Sequence, residues 1–151
     1  MSTLKVNTIQ NTAAAAYPFI KQIVVGTHDT QVDLSSATLT DTGLTATITP
    51  TSATSKILVL VSQSVSHNGR SIGRLVVFRA SSNIYDTIDV GDADNQRSLH
   101  FATILDSPST ASSTAYKTQM SRFDQSGTIN VQRNDSGSAG KSMIILIEVA
   151  A

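Results

Sequence analysis

From residue 19 onward, apolar and polar positions alternate in short runs broken by Gly, Pro, Asn, Asp and Ser, which is the rhythm of strands joined by turns. The first such run, 19–25, follows Pro18, and a shorter one spans 31–34. At 44–49, Leu44, Ala46 and Ile48 share one face and Thr the other, and Pro50 ends the strand. The most hydrophobic passage is 56–66, with Ile57, Val59, Val61 and Val65 on one face and Leu58 and Leu60 on the other. A strand apolar on both faces belongs in the buried centre of a sheet. Asn68-Gly69 favours a tight turn, so the run at 72–80 is expected to form a hairpin with 56–66. Further strands are expected at 83–90, 97–105, 115–123, 127–133 and 142–149.

Strands spaced by about 10 residues with no helix between them predict an all-β fold, an antiparallel jelly-roll β-sandwich. Ahead of it, Leu4 and Val6 alternate with Lys5 and Asn7, and Ala13 to Ala16 is too short to nucleate a helix. Residues 1–17 are therefore read as an extended N-terminal docking arm and linker, and 18–151 as the head domain. The first and last head strands, 19–25 and 143–149, are expected side by side. Met143-Ile144-Ile145-Leu146-Ile147 is apolar on both faces, so a second subunit is expected to cover its outer side.

Composition sharpens this picture. Val, Ile and Thr make 44 of the 151 residues, and these are the residues that sit well on a pleated surface. Eleven basic residues balance eleven acidic ones, which argues against nucleic acid as a partner. No apolar run approaches the ~18 residues of a membrane helix, so no membrane insertion is expected, and the start of the chain lacks the basic and apolar regions of a secretory signal. The absence of cysteine removes thiol catalysis, disulfides and thiolate metal sites.

Candidate chemistry is sparse. His67 follows Ser66 and His28 precedes Asp29, but no serine stands in a Gly-x-Ser-x-Gly elbow; His28 and His67 are read as loop residues and His100 as a strand residue. Gly140-Lys141-Ser142 has Asp135 where a phosphate loop needs its first glycine, and opens a strand instead of a helix. Asp89, Asp92 and Asp94 gather oxygen ligands suited to calcium, yet with Gly91 and Asn95 they read better as a turn. No enzyme activity, cofactor or metal is expected.

Leu4-Lys5-Val6-Asn7-Thr8-Ile9-Gln10-Asn11-Thr12 is similar to the N-terminal segment of tail-fibre and other virion structural proteins of tailed phages, particularly cyanophages. The segments 55–61, 115–119, 127–131 and 145–150 follow the order seen in the C-terminal heads of such proteins, which resemble the trimeric jelly roll of the tumour-necrosis-factor and complement globular-head superfamily. This resemblance implies a homotrimer in a virion assembled in the host cytoplasm. Leu4, Lys5, Val6, Asn7, Thr8, Ile9 and Gln10 would dock on other virion proteins of tail or capsid, with Tyr116, Ile145 and Ile147 at the subunit interface. Asn68, Arg70, Asp92, Asp94 and Asn95 lie in expected outward loops, as do 107–114 and 134–140, where a host surface glycan or protein could be met. Three readings stay open: a tail-fibre or receptor-binding head, a capsid decoration protein, and a soluble lectin-like carbohydrate-binding module using Tyr85 or Tyr116 as its platform.

Overall fold

The computed structural model of the chain describes residues 20–91, 96–124, 126–135 and 137–150. The arm, 1–17, lies outside the described residues. Twelve strands are described, and no helix: β1 (Ile20–His28), β2 (Val32–Leu34), β3 (Thr40–Ile48), β4 (Lys56–Asn68), β5 (Ser71–Arg79), β6 (Ser82–Gly91), β7 (Gln96–Asp106), β8 (Thr114–Asp124), β9 (Thr128–Val131), β10 (Asn134–Asp135), β11 (Ser138–Ala139) and β12 (Ser142–Val149). Ten of them build two antiparallel sheets, and β10 and β11 pair as a separate two-stranded ribbon. One runs β1-β12-β4-β7, with β9 and β2 continuing beyond β12 along the far end of β4; the other runs β3-β8-β5-β6. The two sheets form an antiparallel jelly-roll β-sandwich.

The strand periodicity places the core. Ile57, Val59 and Val61 of β4, Ile144 and Leu146 of β12, and Leu44, Ala46 and Ile48 of β3 all face inward and are buried. The first and last strands do pair, with Ile23 opposite Ile147 and Val25 opposite Ile145. Where β1 passes closest to the other layer it carries Gly26, because a Cβ there would stand 2.1 Å from the Thr45 carbonyl oxygen.

The expected hairpin of 56–66 with 72–80 does not form. Both flanks of β4 are occupied, by β12 and β9 on one side and β7 on the other, while β5 pairs with β6 and β8 in the opposite sheet. The Asn68-Gly69 turn is tight, with Gly69 at φ 77°, but it hands the chain from one layer to the other. Nor is His67 a loop residue. It lies within β4, buried, with Nδ1 2.8 Å from Ser71 Oγ, and its ring stacks on His100 at 6.1 Å between centroids.

Candidate functional site

Two ends of the sandwich carry different features. β1 enters at Ile20, opposite Val149, at the end where β7 closes on Asp106 opposite Ile57. The 68–70 turn leaves the opposite end, where Ser71 pairs with Gly91 and His67 with Gln96. Asn68 and Arg70 are exposed there. Asp92, Asp94 and Asn95 lie outside the described residues, but their flanking strand ends, 91 and 96, belong to the same end. The loop 107–113, expected with the outward group, instead follows Asp106 at the end where β1 enters.

The arm-side end is locked by carboxylates. Asp106 accepts Arg79 Nη1 at 2.7 and 2.9 Å and the Tyr116 hydroxyl at 2.7 Å. Burial first, and then the hydrogen bond to Asp106, raises the Tyr116 phenol above its usual range. Tyr116 was expected at a subunit interface. It is fully buried in this chain's own core instead, because even-numbered positions of β8 (Thr114, Tyr116, Thr118, Met120) face inward. A side chain sealed within one subunit has no surface left to offer another.

Ile145 and Ile147 do lie on the outer face of their sheet, and they are part of a larger feature. Antiparallel register puts side chains of neighbouring strands in rows, and three such rows cross four strands. Ile23, Ile147, Leu58 and Leu105 form the first; Val25, Ile145, Leu60 and Thr103 the second; Thr27, Met143, Ser62 and Phe101 the third. Not one of these twelve residues is charged. Phe101 is 65 % exposed, Leu105 58 %, Ile23 57 %, Val25 55 % and Met143 38 %. A shallow depression of about 290 Å³ lies among Leu60, Ser62, Phe101, Thr103, Met143 and Ile145. Together the three rows make one contiguous exposed apolar face across four strands, and contiguous exposed apolar patches mark interaction surfaces.

The sequence pointed to this face only through 143–147. β7 carried the same signal: Leu99, Phe101 and Leu105 share one parity, while Ala102 and Ile104 give apolar character to the other. Two-sided apolarity in an exposed outer strand is what marks a covered face.

Catalytic geometry does not assemble around the candidate nucleophile. Ser66 Oγ accepts Arg133 Nη1 at 3.2 Å, while His67 turns to Ser71. The Gly-Lys-Ser segment ends in Ser142, which is fully buried in the core. Among the described residues no group of three or more His, Asp or Glu side chains could hold a metal ion.

No family model matches the chain, and no curated protein matches it. Among solved structures it is similar to chains of infectious bursal disease virus. The Gt-strain structure is 10% identical over 97% of this chain and 44% of that one, with a TM-score of 0.49. The Gx-strain structure is 10% identical over 97% of this chain and 43% of that one, with a TM-score of 0.47. This chain thus spans less than half the length of the viral chains it matches.

Proposed function

We propose that the chain is a non-enzymatic structural protein of a phage virion, a homotrimeric head held on the particle by the arm 1–17. The single observation that carries this reading is the uncharged four-strand face, whose apolar side chains Ile23, Val25, Phe101 and Leu105 are open in one chain. Three copies packed on it bury Ile145 and Ile147 together with Ile23, Val25, Phe101 and Leu105. The similarity of residues 4–12 to phage virion segments supports attachment through the arm. There Leu4, Val6 and Ile9 add a strand or fill a groove on a tail or capsid protein, and three arms per head make weak sites add up to firm attachment.

The two-ended layout supports the orientation. β1 starts at one end of the sandwich and the 68–70 turn sits at the other, so a particle-bound arm points Asn68 and Arg70 outward, toward a host glycan or protein. Placed this way, a tail-fibre or receptor-binding head is the preferred form, and a capsid decoration protein is the alternative.

Removal of residues 1–17 tests the reading. The truncated head is expected to remain trimeric in solution and to be missing from assembled particles. Incorporation of the truncated chain at the wild-type level rules out arm-mediated docking.

A further inference from the structure

The interior of the sandwich is not one continuous apolar core. Leu44, Ala46, Ile48, Ile57, Val59, Val61, Val77, Tyr116, Ile144 and Leu146 belong to one cluster toward the arm-side end. Leu34, Val65, Leu75, Met120, Ile129 and Val131 form a second cluster toward the 68–70 turn. Between them runs a chain of fully buried polar side chains that crosses both sheets. Thr42 of β3 bonds Thr118 of β8, whose hydroxyl donates to Gln63 Oε1 of β4 at 2.8 Å. Gln63 Nε2 donates to Ser142 Oγ of β12 at 2.8 Å, and the Ser64 amide donates to that same oxygen at 2.9 Å. Gln132 completes the belt. With its amide oxygen toward Gln63 Nε2 (2.7 Å) and Ser142 Oγ (3.0 Å), its nitrogen donates to Thr30 O and Val131 O, and every member of the belt is satisfied.

The belt coincides with a break in the sheet. On one flank β4 pairs with β12 from Lys56 to Ser62 and with β9 from Val65 to Asn68. At the junction Gln132 takes a left-handed φ of 51° and its amide donates to the Ser64 carbonyl. A non-glycine residue in that region is strained, and the surrounding bonds must hold it there. Separation along a polar seam exposes groups that water can satisfy, whereas separation through a continuous apolar core exposes hydrocarbon.

We propose that the head consists of two cooperative units divided by this belt, and that the loop-end unit opens and closes while the arm-side unit, with the central rows of the apolar face, stays folded. The loop-end unit comprises β2, β9, the 65–68 end of β4 and the side chains packed on them. It carries the exposed 68–70 turn, so its opening lets the distal surface adapt to what it meets without loosening the assembly. Such subglobal opening is the ordinary behaviour of a weakly coupled cooperative unit.

Native-state hydrogen exchange on the full chain tests this. Amides at 32–34, 65–68 and 129–132 are expected to exchange at least tenfold faster than those at 57–61 and 144–147 after correction for intrinsic rates. They are also expected to share one dependence on low urea. Leu146→Ala in the arm-side cluster accelerates the arm-side amides tenfold or more and leaves the loop-end amides unchanged, because that cluster stays folded in both the closed and the open state. Ile129→Ala accelerates both sets, since global unfolding includes the loop end. If Leu146→Ala does not fold, Ile144→Val supports the same comparison with a smaller change. Acceleration of both sets by the arm-side variant means a single cooperative unit and overturns the proposal. So does urea-independent, residue-by-residue exchange of the loop-end amides, which is fraying and not the opening of a unit.

Discussion

Glu148 is the chain's single glutamate, and it is sealed inside the arm-side end. Burial by itself raises its carboxyl pKa. The Thr51, Gln22 and Ser55 side chains and the Thr51 amide outweigh that effect and hold the pKa at about 2. The Thr51 amide and hydroxyl reach Oε1 at 2.7 and 2.6 Å, and Gln22 Nε2 reaches Oε2 at 2.7 Å. These contacts tie the β3–β4 connection to both β1 and β12. In Glu148→Gln, Oε1 can be retained, but an NH₂ group then faces Gln22 Nε2. If Gln22 turns to accept it, the bond from Gln22 to the Thr49 carbonyl is lost. At about 1.4 kcal/mol for each pH unit between the unfolded value of 4.5 and the folded value of about 2, ionised Glu148 contributes ~3 kcal/mol at neutral pH. The folded pKa is the lower one, so the contribution is complete above pH 4.5 and disappears as pH falls toward 2.

Urea unfolding at one fixed protein concentration, which holds any assembly equilibrium constant, should show Glu148→Gln to be about 2–3 kcal/mol less stable than wild type at pH 7. The gap should shrink to roughly half at pH 3 and close near pH 2. A gap that stays constant from pH 7 to pH 3 would refute the assignment, as would a gap below ~0.5 kcal/mol at pH 7.

Three further substitutions probe other parts of the account. Gly26→Ala forces a methyl group onto the Thr45 carbonyl, where only backbone movement can relieve the clash, and should cost about 3 kcal/mol in denaturant unfolding; a loss under ~1 kcal/mol would show that β1 does not approach β3 so closely. Ala80→Gly relaxes a left-handed residue (φ 51°) at the exposed β5–β6 turn and should stabilise the head by about 0.5–1 kcal/mol, seen as a rise in Tm; a fall in Tm contradicts it. Ile145→Asp places a carboxylate at the centre of the apolar face and should abolish association while leaving the circular dichroism of the folded head intact, and an unchanged mass would show that the face is not the interface.

How much of this was legible in the sequence varied with the range of the interactions. Alternation within single strands is local, so the inward faces of 44–48 and 57–65 could be read directly, while the first and last strands were expected as neighbours from the fold class. Which strands pair is not a local property. Asn68-Gly69 was rightly seen as a tight turn, yet a turn does not state whether its two strands stay in one sheet, and the flanks of β4 were already filled by β7, β12 and β9. Tyr116 failed as an interface residue for a similar reason. Its parity on β8 allowed either face, and the partner that fixes it, Asp106, lies on a strand of the other sheet. Ile145 and Ile147 were found because two-sided apolarity in one strand implies a second cover. The rest of that face became visible only when register aligned β1, β4 and β7 beside them. The polar belt left no signal, because Thr42, Gln63, Thr118, Gln132 and Ser142 are ordinary strand and loop residues until the fold brings them together.

The mass of the purified protein by light scattering, followed down a dilution series, bears most directly on the central claim. A species at three times 15.9 kDa that persists on dilution is what a head assembled on the β1-β12-β4-β7 face predicts, and a chain that stays at 15.9 kDa at every concentration contradicts it.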